Sequence, residues 1–435
     1  MCLTGQDEWS TLLRSYRQTW FDFPPHIASF ESHLSYKDEV RSIAAPAPSP
    51  GKVDRCSFLA AGFRSGKVYL YDNLTRMVQY DFVAHNKTIR SVYVDSTARV
   101  LVTAAEDGLI KLWSLAYDHG TGNSPRHNGI PVRDSDAPFL ARNFCTLNAK
   151  AVVRKAIYDS KEDLLVCGCV NGSVIVWRQA RRQPVSMVLA GHTSIVYDVA
   201  MDAKRDRIFS ASDDGTVRVW RVNGDKVWKL SGHTKCCRCL SYDPNMSGLY
   251  PTGVLVSGSN DHTLRRWDLD TGNSIHTYIG HSGSIYCVKA DVLSDSLVSG
   301  SDDRSICIWR MSTGEALRQL SPHLMSGYPP SRSTVYCLEV DWTRNVVYSG
   351  GDENTVRVIN FGYQEDGVVR DPVRALRMEK LFTRIGEPGT TTSFMTPLRL
   401  PGLFLQAFAH RPGVHLLFIR ESVIRQRPIV LALQE

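Results

Sequence analysis

The sequence predicts an all-β fold built from one unit that recurs along the chain, and the spacing of that unit carries the prediction. One complete copy runs from Gly191-His192 through Asp213-Asp214-Gly215 to Trp220. Ten positions separate a small residue from a large one in every copy: Thr103 to Trp113, Cys167 to Trp177, Ser210 to Trp220, Ser257 to Trp267, Ser299 to Trp309, and more weakly Ala61 to Tyr71 and Ser349 to Ile359. Self-similarity at a fixed period indicates a repeat architecture, because each unit buries its apolar surface against its neighbours.

The steps between successive large residues are 42 from Tyr71 to Trp113, 43 from Trp177 to Trp220, and 47 from Trp220 to Trp267. Together with the Gly-His pairs and Trp267-Asp268, this pattern resembles the WD40 repeat, each copy of which marks one four-stranded blade of a β-propeller. The resemblance covers residues 27–435 and implies seven to eight blades. We expect 116–141 to be a flexible insertion and 364–435 to be a degenerate last blade or a packed tail.

Runs of β-branched and aromatic residues place the strands of this fold. The innermost strands are expected to begin near Val40, Ile89, Val153, Val196, Cys237, Ile285 and Val335. Three runs after residue 392, at 393–398, 403–408 and 414–420, have blade spacing, and 427–433 offers a further strand. The spacing favours an eighth blade that the strand at 27–33 closes, and seven blades with a packed tail is the alternative.

The residues before the first strand form a separate segment, 1–26. Trp9, Leu12, Leu13, Tyr16 and Trp20 recur at steps of three and four residues, which is typical of one apolar stripe on a helix. Pro24-Pro25 ends the pattern. We therefore predict a short N-terminal helix over 7–22 that buries its stripe against the propeller or a partner.

Composition excludes several classes of function. The formal net charge of +7, from 51 basic and 44 acidic residues, is small for 435 residues and makes nucleic-acid binding unlikely. The N-terminus lacks a signal-peptide pattern, and no apolar run approaches the roughly 20 residues that span a bilayer. The 11 cysteines mostly fall inside predicted strands and no histidine cluster has zinc-site spacing, so we expect reduced thiols, no metal, no cofactor, and a cytoplasmic or nuclear protein.

Serine, histidine and aspartate recur together in the repeats and invite an enzymatic interpretation. In the WD40 family such side chains form a structural tetrad with the tryptophan, which the resemblance carries to four sets here. Four near-identical sets favour structure over catalysis, since catalysis needs one site, and no other catalytic motif is present. The protein is therefore predicted not to be an enzyme, and the sets are His85, Thr103, Asp107, Trp113; His192, Ser210, Asp214, Trp220; His233, Ser257, Asp261, Trp267; and His281, Ser299, Asp303, Trp309.

The repeat also allows the surface to be read by register. One position of each innermost strand lies near the top of the central channel in this family, and here it holds Arg41, Arg90, Arg154, Tyr197, Arg238, Tyr286 and Tyr336. The position before the tetrad aspartate forms a second ring: Arg64, Glu106, Val170, Asp213, Asn260, Asp302 and Asp352. We predict a partner-binding top face that is basic near the first three blades and acidic near the last, with Asp213, Asp302 and Asp352 among its contacts.

The predicted function is a non-catalytic scaffold that binds protein segments on this top face. The alternative is the substrate-recognition subunit of a cullin-RING ubiquitin ligase, because the chain resembles the F-box/WD family, in which propeller arginines read acidic or phosphorylated motifs. No complete F-box is visible before residue 27. On this alternative the N-terminal helix would contact the cullin adaptor.

Overall fold

Short runs of β-branched and aromatic residues, separated by turns rich in Gly, Asp and Ser, form strands that pair with their neighbours in sequence. The computed structural model describes residues 26–30, 38–46, 58–72, 78–95, 99–117, 139–180, 184–320, 334–342, 345–352, 356–361, 398–400, 403–405, 417–420 and 429–432. The chain divides into two compact units, 1–372 and 373–435. The predicted helix over 7–22 lies outside the described residues.

The first unit contains seven four-stranded antiparallel sheets, here called blades 1 to 7. Strand β1 (His26–Phe30) comes first in the chain. Blade 1 contains β2 (Val40–Ala44), β3 (Phe58–Phe63), β4 (Lys67–Asp72) and β5 (Val78–Val83). Blade 2 contains β6 (Ile89–Asp95), β7 (Val100–Ala105), β8 (Leu109–Tyr117) and β9 (Phe139–Asn148). Blade 3 contains β10 (Val153–Asp159), β11 (Leu164–Cys169), β12 (Val174–Arg178) and β13 (Val185–Leu189).

The remaining blades follow the same order from the innermost strand to the outermost. Blade 4 contains β14 (Val196–Asp202), the 3-10 turn Ala203–Arg205, β15 (Arg207–Ser212), β16 (Val217–Trp220) and β17 (Lys226–Leu230). Blade 5 contains β18 (Cys237–Asp243), β19 (Val254–Ser259), β20 (Thr263–Trp267) and β21 (Ser274–Ile279). Blade 6 contains β22 (Ile285–Asp291), β23 (Ser296–Ser301), β24 (Ile306–Arg310) and β25 (Ala316–Leu320). Blade 7 contains β26 (Val335–Asp341), β27 (Val346–Gly351) and β28 (Val356–Asn360), and β1 is its fourth strand.

The N-terminal strand closes the ring. Strand β1 pairs antiparallel with β28, with Ala28 opposite Val358, so the outermost strand of blade 7 comes from the other end of the first unit. The innermost strand β26 of blade 7 then packs against β2 of blade 1. Closure pairs an edge that an open ring would expose. The ring is seven-bladed, and the expectation that β1 closes an eighth blade is wrong because its partner is β28.

The apolar core lies between the blades. Seven clusters of buried side chains each combine residues of two neighbouring blades, including the pair formed by blades 7 and 1. The second strand of each blade is almost entirely buried, since it is covered on both faces by the blades beside it. Each blade therefore depends on its neighbours, as the repeat period predicts.

The second unit contains one further antiparallel sheet of four strands. They are β29 (Leu398–Leu400), β30 (Leu403–Leu405), β31 (Leu417–Arg420) and β32 (Ile429–Ala432), paired in sequence order. In blade 2, strands β8 and β9 extend into both ends of the segment expected as an insertion, to Tyr117 and from Phe139. Within the described ranges no helix is long and apolar enough to cross a membrane.

Candidate functional site

The four sets of histidine, hydroxyl residue, aspartate and tryptophan each form one hydrogen-bonded chain inside a blade. In blade 4, His192 Nδ1 lies 2.7 Å from Asp214 Oδ2, His192 Nε2 lies 2.8 Å from Ser210 Oγ, and Trp220 Nε1 donates to Ser210 Oγ at 2.9 Å. Because a carboxylate only accepts, His192 Nδ1 donates to Asp214, and Ser210 Oγ joins His192 Nε2 to the Trp220 N–H. The chain thus satisfies each of its buried polar groups with one hydrogen bond to the next.

The other three sets repeat this geometry, except that a threonine replaces the serine in blade 2. His233 and Ser257, and likewise His281 and Ser299, approach to 2.8 Å. In blade 2 the hydroxyl belongs to Thr103, at 2.8 Å from His85 Nε2 and 2.9 Å from Trp113 Nε1. The histidine side chains are fully buried, and no set opens onto a cleft where a substrate could reach the serine. The tetrads tie strands together.

The tetrad aspartates of blades 4, 5 and 6 are held in their charged form. Burial opposes ionisation of Asp214, but hydrogen bonds from His192 and Thr216 outweigh it and hold the pKa of this carboxyl well below its usual range. Asp261 and Asp303 have the same lowered pKa, with Thr263 and Ser305 as the second donors. These carboxylates cap the turn that follows the second strand of the blade, since they also accept the backbone N–H two residues later.

The predicted ring residues share one structural feature, a β-bulge. In all seven blades the register between the first and second strands shifts across a single residue, which is left unpaired. Bulges free a side chain from the ladder and re-aim it. The unpaired residues are Arg41, Arg90, Arg154, Tyr197, Arg238, Tyr286 and Tyr336, and all are half-buried. We call the end of the ring that carries them the top face.

Five of these side chains and their neighbours form a continuous arc of ring contacts. The Arg238 guanidinium lies 4.0 Å from the ring centre of Tyr197 and 5.8 Å from that of Tyr286. Tyr286 meets Tyr336 edge to face at 5.4 Å, and Arg41 lies 4.4 Å over Tyr336. Stacking of guanidinium on aromatic rings orders both partners before any ligand arrives.

The ring arginines differ in their charge partners. Arg41 forms an ion pair with Glu39, and Arg90 donates from Nε to Glu106 at 2.8 Å. Arg238 donates to the Asn260 side chain at 3.1 Å. Glu39 was missed at the sequence level because it lies immediately before β2, outside both aligned rings. Arg64 of the second ring bonds the same Glu39 at 3.0 Å.

The acidic positions of the second ring lie on the other side of the top face. Asp302 accepts from the Thr334 hydroxyl at 2.9 Å, and Asp352 accepts from the Thr334 backbone N–H at 3.4 Å. Both carboxylates are exposed. Asp213 accepts from Ser194 at 3.0 Å, and contacts with Cys236, Ser194 and Arg238 lower its pKa despite burial. Val170, of blade 3, supplies no charge to this ring.

Directly after each bulge residue comes a second-tier residue of the channel wall: Ser42, Ser91, Lys155, Asp198, Cys239, Cys287 or Cys337. Ser42 accepts from Val92 N of the next blade at 2.9 Å, and Asp198 accepts from Leu240 N at 2.8 Å. This tier was not singled out from the sequence, although its position next to the ring was available as a signal. Among the described side chains no group of His, Cys, Asp and Glu could hold a metal ion.

Comparison with known proteins agrees with this geometry. The family model "WD domain, G-beta repeat" matches residues 77–114, 183–221, 224–268 and 272–310, and each match contains one tetrad. The crystal structure of the WD40 β-propeller domain of Doa1 is similar, with a TM-score of 0.58 at 20% identity, covering 79% of this chain and 98% of that one. At this level of identity the likeness shows the fold.

Two curated relatives show how local the sequence similarity is. Apoptotic protease-activating factor 1 of Danio rerio is 23% identical over 257 residues, 55% of this chain and 20% of that protein. Coatomer subunit beta'-2 of Arabidopsis thaliana is 29% identical over 114 residues, 26% of this chain and 12% of that protein. The chain thus spans about a fifth or less of these two relatives.

Proposed function

Because the chain carries WD40 repeats and folds as a seven-bladed WD40 β-propeller, we propose that it is a non-catalytic scaffold that binds protein segments on its top face. The observation that carries the proposal is the ring of seven bulge residues, all of them arginine or tyrosine. Arginine and tyrosine are enriched at the residues that dominate binding energy in protein interfaces. Seven-fold repetition gathers them around one channel mouth.

The contacts of the ring support rigid binding. A side chain that is already stacked loses little conformational freedom when a partner arrives, so more of the contact energy remains as affinity. Tyr197, Tyr286 and Tyr336 offer flat apolar area with a polar edge, and the arginines offer donors for carboxylate or phosphate oxygens. We therefore propose that the docked segments carry acidic or phosphorylated residues on the side of blades 1 to 3.

The role in a cullin-RING ubiquitin ligase requires an adaptor contact in residues 1–25, which lie outside the described residues. No observation on the described residues favours it over scaffolding in general, so we take it no further. The nine described cysteines are all free thiols, which supports a proposed location in a reducing compartment such as the cytoplasm or nucleus.

The proposal is tested by selecting segments from a random peptide-display library with the full chain as bait. The double substitution Arg90→Glu with Arg154→Glu is expected to abolish enrichment, because it inverts two charges at the channel mouth. The matched control is Lys226→Glu with Lys229→Glu, which makes the same change in net charge on the exposed outer strand of blade 4. Equal enrichment by both double variants would place binding somewhere other than the top face.

A further inference from the structure

Three of the four ring arginines have a side-chain hydrogen-bond acceptor, and Arg154 of blade 3 is the exception. Arg41 and Arg90 each hold a carboxylate, and Arg238 holds the Asn260 amide. Arg154 forms no hydrogen bond or ion pair with any described residue. Its Nε is buried without a partner, as is the Nε of Arg41, but the Arg41 guanidinium has Glu39 as a charge partner. The contact of Arg154 is with the Tyr197 ring, 5.6 Å away. A buried guanidinium nitrogen without an acceptor is costly, so its persistence calls for an explanation.

The surroundings of Arg154 are positive on balance. Burial lowers the pKa of Arg154, and Arg90 and Arg238 lower it further, while Tyr197 and Glu106 act in the opposite direction. Glu106 is already engaged by Arg90, at 2.8 Å from its Nε. The Arg154 guanidinium therefore lacks an acceptor of its own, and Val170 supplies none from the second ring.

The second tier departs from its pattern in the same blade. In the six other blades this residue reaches the innermost strand of the next blade, from blade 1 around to blade 7: Ser42 to Val92, Ser91 to Ala156, Asp198 to Leu240, Cys239 to Ile285, Cys287 to Val335 and Cys337 to Val40. In blade 3 the residue is Lys155, which forms no hydrogen bond or ion pair with a described residue. The bridge that the other blades use is therefore missing between blades 3 and 4.

Lys155 lies on the innermost strand of blade 3 and is half-buried. Its charge acts on Asp198 of blade 4 and on Cys337 of blade 7, whose blade lies across the ring. Both oxygens of the Asp198 carboxylate already accept backbone N–H groups, from Leu240 at 2.8 Å and from Val199 at 2.9 Å. Deeper in the channel, Lys289 and Glu339 neutralise each other at 2.9 Å. Two adjacent cations at the mouth thus lack dedicated acceptors.

We propose that one anionic side chain of a docked segment enters the channel at blade 3 and is held between Arg154 and Lys155. This rests on the proposed function, and it assigns the anchor to one blade rather than to all four ring arginines. The ligand chemistry is a carboxylate or phosphate group presented by a protein segment, since a guanidinium fork and an ammonium both donate to anionic oxygens. Tyr197 forms the wall beside the anchor.

The experiment uses a peptide enriched by the wild-type chain, labelled and titrated against purified variants by fluorescence anisotropy. Arg154→Gln and Lys155→Gln are each expected to weaken binding about tenfold, which corresponds to ~1.4 kcal/mol. Arg90→Gln is expected to weaken binding less than either, because Arg90 already has a carboxylate partner. Lys229→Gln, on the exposed outer strand of blade 4, is the matched control and is expected to leave the affinity unchanged. Thermal unfolding of each variant checks that the propeller is intact.

Replacing the peptide's own acidic residue completes the test. An alanine in its place is expected to weaken binding to the wild type by more than it weakens binding to Arg154→Gln, in which only Lys155 still holds the anion. A phosphoserine in its place identifies the source of the anion: tighter binding assigns a phosphorylated segment, and weaker binding assigns a carboxylate. Enriched peptides without an acidic residue, or an equal loss with Arg90→Gln, would overturn the anchor and leave top-face docking standing. Failure to enrich any peptide would instead contradict the proposed function.

Discussion

Removing one buried hydroxyl group from a tetrad tests whether these side chains stabilise the blade. Ser210 is fully buried, and its oxygen joins His192 Nε2 at 2.8 Å to Trp220 Nε1 at 2.9 Å. The substitution Ser210→Ala leaves both nitrogens without a partner, in side chains that are themselves inaccessible to water. Each orphaned group costs about 1–3 kcal/mol, so the expected loss in the free energy of unfolding is about 2–6 kcal/mol.

The loss is measured by urea unfolding, followed by tryptophan fluorescence and by far-UV circular dichroism. Ser186→Ala is the matched control, since Ser186 lies exposed on the outer strand β13, and its effect should stay within about 0.5 kcal/mol. Ser210→Thr keeps the hydroxyl, as Thr103 does in blade 2, and is expected to retain most of the stability. If Ser210→Ala lost no more than Ser186→Ala, the tetrads would contribute nothing measurable and the structural assignment would fail.

Two further predictions concern pH and backbone conformation. Asp214, Asp261 and Asp303 have folded pKa values below the unfolded value of about 3.9, so the stabilisation they provide is complete above that pH and is lost as the pH falls. Urea unfolding at decreasing pH should therefore show a steeper loss below pH 4 for the wild type than for Asp214→Asn. Gly314→Ala should cost at least about 1 kcal/mol, because φ is +78° and a Cβ would lie 1.7 Å from His276 Nε2. Gly248→Ala, with open space around it, should be neutral; equal effects in thermal melts would contradict this.

The sequence predicts the individual blades well because their determinants are local. The expected first residues of the seven innermost strands, from Val40 to Val335, coincide with the strands of the structure. Each such residue is an apolar side chain buried against the preceding blade, preceded by turn residues, and both signals lie within a few positions. The ten-residue spacing works for the same reason, since it spans one hairpin.

Closure of the ring could not be predicted in the same way. Two pairings were open for strand β1, with β28 or with a strand of the tail. The alternation of side chains along residues 26–30 is compatible with either pairing, so it does not distinguish them. That choice depends on how many blades fill the circle, which is a property of packing angles between sheets and leaves no local pattern. The tail strands β29 to β32 pair in sequence order in one four-stranded sheet, and whether this sheet is a degenerate blade or a packed tail stays a prediction.

The sequence located the ring residues of the candidate site but not the side chains that pair with their charges. Alignment located all seven bulge residues, because the bulge follows the first residue of each innermost strand in every blade. It treated the arginines as equivalent, whereas Glu39 and Glu106 neutralise Arg41 and Arg90. It also treated one position per blade as the lining, whereas the residue after the bulge lines the channel too. Whether two such side chains pair depends on whether they can contact each other across a turn. The spacing of residues in the sequence does not determine this.

A bulge separates the demands of folding from those of binding. In every blade the residue before the bulge is buried between blades, as Val153 and Val335 are. Folding therefore restricts the size and polarity of that residue. The bulge residue forms no ladder hydrogen bonds, so arginine and tyrosine can replace each other there at little cost to the sheet. The residue after it normally bridges two blades and is restricted again. Lys155 does not form the hydrogen bond to the next blade that the corresponding residues of the other blades form. Because its ammonium group does not stabilise the contact between blades 3 and 4, it is available to bind a ligand. The anchor is therefore proposed at blade 3.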